Sequence, residues 1–393
     1  MSPQQRVQDL IGFIDSSPSP WHAGASIKTW LEKCGFVGLD ETQTWSLAPG
    51  GKYFILRDES SVIAFIAGQR PLYQGGFKII GAHTDSPGLR IKPNAPNVAD
   101  GWRRLGVEIY GGPILATFSD RDLSIAGRVS FRQDGGKIEV RLVNIARPIL
   151  RLPNLAIHMN RTVNEDGLKF HKQSELPLIL NAVVKDQLSK PYFIDMLKQA
   201  GGIENAEILA WELNVYDTQE GAFWGTEQEF YADSQLDNLA SCHASLSALT
   251  DASVSRPENT LVVACFDHEE IGSCSQKGAD GSFLPNILER IALATKISPE
   301  EFRRALAQSF LISADMAHAY HPNFPGAYEA DHKVMVNQGP VIKMNANQRY
   351  ASESVSAAMF SRWCEIAKVS YQTYTHRTDL ACGSTIGPMA AAN

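Results

Sequence analysis

The short, largely apolar run Phe77–Ile80 closes on Gly81 and leads directly into His83-Thr84-Asp85-Ser86. A run of this kind, without strict in-and-out alternation, reads as a strand buried on both faces of a largely parallel sheet. The same plan recurs along the chain. The strand-like Thr260–Phe266 precedes His268-Glu269-Glu270, and Phe310–Ile312 precedes Ala314-Asp315-Met316-Ala317-His318. Asp237 and Asn238 stand where the periodic segment Leu236–Leu249 begins. Open α/β sheets bind ligands beyond the carboxyl ends of their strands, so these clusters predict an α/β fold with its chemistry along one sheet edge.

The flanking segments predict the rest of the architecture. Gln4–Ile14 and His22–Glu32 have helical periodicity, and Tyr53–Leu56 and Val62–Ala67 read as strands. From about Pro93 to Tyr231 the pattern shifts to short alternating segments such as Arg128–Arg132 and Ile138–Val143, joined by the hairpin chemistry of Asp134-Gly135-Gly136. Helix and strand then alternate again, with helices over Phe283–Thr295 and Ser352–Val369. Ser298-Pro299-Glu300-Glu301 is a capping box with proline at the first helical position, placing a helix over Pro299 to about Gln308. The expected fold is an α/β domain, a mixed sheet flanked by helices, in two halves (1–92 and 232–393) interrupted by a β-rich insertion (93–231).

Composition removes several function classes. Thirty-six basic residues against forty-three acidic ones give a net charge of −7, which offers no footprint for nucleic acid or an anionic membrane. No run approaches the roughly 18 apolar residues of a membrane span, and MSPQQRVQDLIGFIDSSPSP has no secretory signal pattern, so a soluble, cytoplasmic protein is expected. The six cysteines are scattered without a CxxC pair, as suits reduced thiols. A metal here falls to histidine and carboxylates.

Taken singly, His83 reads as a hydrogen-bonded structural histidine, and an aspartate after a strand as a helix cap or turn residue. The combination reads differently. A histidine and several carboxylates at the ends of separate strands would gather negative charge in one cleft, which is costly without cations. Two divalent metals about 3.5–4 Å apart remove that cost, and an O/N ligand set suits Zn²⁺, Mn²⁺ or Co²⁺ in a hydrolytic site. Adjacent Glu269 and Glu270 point in different directions on an extended segment, so one suits a metal and the other a water as general base.

Six segments in order, GAHTDSPGLRIKP, QLDNLASCHASL, ACFDHEEIGS, ISADMAHAYHPN, GPVIKMNANQRYA and RTDLACGSTIGP, resemble the M18 metallo-aminopeptidases, the aspartyl aminopeptidase family. The resemblance spans nearly the whole chain. It implies a metallo-aminopeptidase-like catalytic domain that removes N-terminal residues, by preference Asp or Glu, from peptides. It implies that His83 and Asp315 bind one metal, Glu270 the other, and Asp237 bridges them. Asp85 would hydrogen-bond His83 from behind and fix its tautomer. Glu269 would take a proton from the bridging water and deliver it to the leaving amine.

The resemblance also makes the insertion a dimerisation domain. His158, in Asn154-Leu155-Ala156-Ile157-His158-Met159-Asn160, would reach the neighbouring subunit's active site within a homo-oligomer, a dodecamer built from dimers. Lys343 and Tyr350 match residues near the substrate, and a cation suits an acidic side chain. His22, His268 and His376 take structural readings, His318 and His321 shape the cleft, and Cys382-Gly383-Ser384 becomes a loop beside the metals. Alternative functions are a related dimetal amidohydrolase or deacylase, and a non-catalytic assembly protein retaining the fold. M18 sequences run roughly 30–40 residues past the segment matching Thr385-Ile386-Gly387-Pro388, to a Gln-Leu-Ala-Met-His-Ser motif whose histidine completes the second metal site. A chain ending at Asn393 is therefore expected to hold that second metal weakly and to have low activity.

Overall fold

The computed structural model describes residues 2–133, 135–183 and 189–392. Asp134, in the expected hairpin turn, and Asn393 lie outside the described residues. The chain forms two compact units, one of residues 1–26 and 85–236, the other of 27–84 and 237–393.

The second unit holds the mixed sheet. Its six strands run in the order Val37–Gly38, Lys52–Arg57, Ser61–Ile66, Thr260–Phe266, Phe77–His83, Phe310–Ser313. Phe77–His83 is parallel to both of its neighbours, as its apolar composition requires, whereas Ser61–Ile66 pairs antiparallel with Thr260–Phe266 and with Lys52–Arg57. Register decides where the chemistry falls. Phe266 lies opposite His83 and Ser313 opposite Gly81, so the three parallel strands end together and release Thr84, Asp267 and Ala314 from one edge.

Ile55, Ile63, Phe65, Phe77, Val262 and Phe266 form the heart of this unit's core with the helix Phe283–Ala294. That helix buries Phe283, Leu284, Ile287, Leu288 and Ile291, the spacing of a single helical face. Each such side chain contributes roughly 1.5–3 kcal/mol when fully buried. The capping box forms as expected: Ser298 Oγ accepts from the Glu301 N–H at 3.2 Å, and Glu301 Oε2 accepts from the Ser298 N–H at 2.7 Å. The helix there spans Pro299–Ala307, and another spans Ser354–Ala367. Leu236–Ala252 is helical except at Asp237 and Asn238, whose backbone is not, so regular turns begin after Asn238. The Asp237–Asn238 peptide is cis. Gly81 is required by close packing, since a Cβ there would lie 2.7 Å from Ile386 Cγ2.

The first unit is built on a wholly antiparallel sheet in the order Ile138–Asn144, Leu123–Arg132, Glu207–Asp217, Gly88–Ala99, Trp102–Tyr110, Leu178–Ala182. Leu105, Leu123, Ile125, Phe131 and Leu213 fill its core together with Phe193 and Leu197 from the helix Ser189–Gly201. The sequence pattern shifts from about Pro93, yet Gly88–Ala99 continues through it as one strand. The pairing register shifts between Ile91 and Pro96, and such an irregularity accommodates a proline that cannot donate to the ladder. Residues 85–92 consequently fall in this unit, as do residues 1–26.

Candidate metal centre

His83 ends its strand with a side chain only 1% exposed, and Cys242 Sγ donates to its backbone carbonyl at 3.0 Å. Around its Nε2 stand three carboxylates: Asp237 Oδ1 at 3.3 Å, Asp315 Oδ1 at 3.6 Å and Glu269 Oε2 at 3.9 Å. Glu270 joins them, because His83, Asp237 and Glu270 each offer a ligand atom within 4.8 Å of the others. Five side chains from four separate segments therefore converge, four of them at or just after strand ends of the sheet and Asp237 at the start of the segment Leu236–Ala252. Five of the sequence-derived site residues are thus brought together: His83, Asp237, Glu269, Glu270 and Asp315.

The electrostatics of this cluster favour a cation. Four carboxylates around one imidazole are mutually repulsive, and a neutral environment does not relieve them. Burial raises the affinity of Asp315 for its proton, but the hydrogen bond from His83, the charges of Lys343 and His83, and the hydrogen bond from Ser384 hold its carboxyl well below the ordinary range. An O-rich set with one imidazole nitrogen is the donor chemistry of a zinc-type site, so the residues present fit such an ion.

Glu269 is oriented differently from the other carboxylates. Its Oε1 accepts from the Thr385 N–H at 2.7 Å, from Thr385 Oγ1 at 3.1 Å and from Ser384 Oγ at 3.3 Å. One oxygen is thus anchored to the loop before the helix Ile386–Ala392, and the other faces His83. Thr385 lies 116 residues further along the chain, and no spacing rule in the sequence links it to Glu269.

Lys343 stands beside this cluster. Its Nζ donates to the carbonyl of Met316, next to Asp315, and sits 5.2 Å from the centre of the Tyr350 ring. Tyr350 is buried, and burial together with the neighbouring Cys382 pushes its hydroxyl pKa up. Cys382 Sγ lies 3.2 Å from His318 Nε2, a pairing that their 64-residue separation does not reveal locally. The hydrogen bond from His318 lowers the Cys382 thiol pKa against the opposing effect of burial. His268 bonds Ser275 Oγ at 2.9 Å and His376 bonds the Tyr374 hydroxyl, consistent with their structural readings. His22 likewise bonds Ser19 Oγ at 2.7 Å.

Two site residues belong to the first unit. Asp85 is fully buried, and its Oδ2 accepts a 2.7 Å hydrogen bond from the Tyr110 hydroxyl. His158 lies in the short 3-10 turn Ile157–Met159, not in a strand, and is exposed together with Leu155, Ile157 and Met159.

A mixed α/β sheet that gathers an imidazole, carboxylates able to hold a metal and an anchored glutamate beside its parallel strand ends defines a metal-dependent hydrolase. Residues 13–393 match the family model of the aminopeptidase I zinc metalloproteases (M18). The chain is 44% identical to the probable M18 family aminopeptidase 2 of Ectopseudomonas mendocina, over 99% of this chain and 89% of that protein. It is 46% identical to the protein of the same description from Pseudomonas aeruginosa, over 98% and 88%. Among solved structures, the S. cerevisiae mApe1 dodecamer superposes with a TM-score of 0.85 at 27% identity, over 98% of this chain and 86% of that one. A complex of Ape4 and Nbr1 gives 0.95 at 37%, over 99% and 78%. The chain belongs to the M18 family of zinc aminopeptidases and is a metalloprotease hydrolase.

Proposed function

We propose that this protein is a dinuclear-metal aminopeptidase that hydrolyses the N-terminal residue, preferably Asp or Glu, from peptides. The observation that carries the reading is the posture of Glu269: Thr385 holds one oxygen, and the other points at the His83 cluster. His83 and Asp315 would hold one ion, Glu270 the other, and Asp237 both, with zinc, cobalt or manganese all suited to these donors. Bound metal supplies Lewis-acid polarisation of the scissile carbonyl and a water acidic enough to ionise near neutral pH.

The protein's own residues supply the remainder. Glu269 Oε2 accepts a proton from the attacking water and later delivers it to the departing amine, while the Thr385 anchor prevents the carboxylate from rotating away. Asp85, buried next to the His83 segment in sequence and bonded by Tyr110, is suited to orienting the imidazole. Lys343 presents a cation and Tyr350 a ring beside Asp315, which suits an acidic N-terminal side chain.

The exposed apolar turn bearing His158 supports a role between subunits, with the β-rich insertion as the dimerisation domain and a dodecamer as the assembly. Six free thiols suit a reducing cytoplasmic compartment. The test is a metal-dependent assay on peptides beginning with Asp, Glu, Leu and Ala, run beside N-acylated amino acids. Faster turnover of the Asp and Glu peptides is expected, and hydrolysis of the acylated series alone would refute the reading.

A further inference from the structure

Beneath the paired glutamates lies an ionic cluster that the reaction itself does not use. Asp267, fully buried, directly follows the strand before Glu269 and Glu270, and Lys277, 4% exposed, closes the loop ten residues later. The Lys277 ammonium lies 2.9 Å from Asp267 Oδ2, donates to Asp58 Oδ2 at 2.8 Å and donates to Ser60 Oγ at 3.0 Å. Asp267 Oδ2 accepts no directed hydrogen bond among the described residues; the Lys277 ammonium is the nearer neutralising group at 2.9 Å, with His268 Nε2 at 3.8 Å. Its Oδ1 accepts from the His268 N–H at 2.8 Å.

The backbone is pinned at the same place. Ser61 Oγ accepts from the Asp267 N–H at 2.8 Å and donates to the Lys277 carbonyl at 2.8 Å, so both ends of the loop meet at the start of the strand Ser61–Ile66. The loop needs such restraint because its backbone is unusual: His268, Gly272 and Ser273 all have positive φ (68°, 97° and 61°). At its outer side Ser273 Oγ meets Thr385 Oγ1 at 2.7 Å, the hydroxyl that also bonds Glu269. Burying an ammonium group is costly, and a loop that only needed closing could be closed by apolar packing. A buried charge shared by two carboxylates instead fixes a single geometry.

We propose that Lys277 is a positioning residue, whose buried ammonium, shared between Asp267 and Asp58, holds the 267–278 loop so that Glu269 and Glu270 reach the His83 cluster in register. This rests on the proposed roles of the two glutamates. It follows that loosening the ion cluster degrades both zinc binding and turnover, even in a protein that remains folded.

The experiment compares Lys277→Gln, Lys277→Arg and Asp58→Asn with the wild-type full chain, at a temperature well below each melting point. Zinc affinity is read by competition with a chromogenic chelator, and kcat and KM on an Asp-terminated peptide. For Lys277→Gln, a tenfold or greater loss of zinc affinity is expected, with kcat down tenfold or more and KM within about twofold. Lys277→Arg should recover part of both losses, and Asp58→Asn should show smaller losses of the same kind. A folded Lys277→Gln protein with zinc affinity and kcat within twofold of wild type would overturn the proposal. If that variant does not fold, unchanged zinc affinity and kcat in Asp58→Asn overturn it equally. Failure of the aminopeptidase reading is distinguishable, because it would appear as wild-type protein that binds zinc but cleaves none of the peptides.

Discussion

Replacing Glu269 by glutamine removes a proton acceptor while leaving almost everything else in place. The amide oxygen of glutamine can keep the contacts to the Thr385 N–H, Thr385 Oγ1 and Ser384 Oγ at 2.7, 3.1 and 3.3 Å, which puts the amide nitrogen on the side facing His83. His83, Asp237, Glu270 and Asp315 are untouched, so zinc should still bind. A positioned general base contributes about 10²–10⁴ in rate, or about 2.7–5.4 kcal/mol at about 1.36 kcal/mol per decade. Because the same carboxylate both accepts and returns the proton, we expect the upper half of that range, with kcat reduced about a thousandfold or more and KM changed less than about threefold. The measurements are steady-state kinetics on an Asp-terminated peptide, zinc content by atomic absorption, and melting temperature. A zinc-loaded variant retaining more than about a tenth of wild-type kcat would refute the role of base. Loss of zinc in parallel with activity would instead make Glu269 a ligand, and would refute the assignment as well.

Lys343→Ala should lower kcat/KM for Asp- and Glu-terminated peptides about 10–100-fold, the worth of one charge-assisted hydrogen bond, and lower it less for neutral peptides. Equal losses on both series would remove Lys343 from selectivity. In the first unit, burial and the nearby charge of Asp15 push the Asp233 carboxyl up from 3.8 to about 7. A carboxyl whose folded pKa lies above its unfolded one contributes stability that is fully present below about pH 4 and lost as pH rises through about 7. Asp233→Asn should therefore stabilise the protein at pH 8 by about 1–2 kcal/mol, the part of the shift left after solvent screening, and have little effect at pH 4. A gain in melting temperature of the same size at both pH values would contradict this account.

The strand-then-cluster plan was legible in the sequence because strands buried on both faces lose their alternation, and because polar residues placed directly after them have few structural uses. Phe77–Ile80 marked the parallel centre of the sheet correctly, and Ser298 with Glu301 marked a helix start to the residue. Local chemistry decides such features, since a capping box is completed within four residues and an apolar strand declares its own environment. The change of pattern placed at about Pro93 falls inside the strand Gly88–Ala99, where the pairing register shifts, because segment texture does not reveal where a strand begins.

By itself the sequence determined that His83, Asp237, Glu269, Glu270 and Asp315 were the residues to consider, and that a metal was the chemistry to expect. Only the tertiary structure decided that they meet. The register that ends three strands together is set by hydrogen bonding between segments nearly 200 residues apart in the chain, as with Phe266 opposite His83. The same holds for the supports: Thr385 anchoring Glu269, Lys277 shared between Asp267 and Asp58, and Lys343 against Met316 and Tyr350. A threonine and two lysines are ordinary surface residues in any local window. Burial against a distant partner gives each its role, and burial is a property of the folded chain alone.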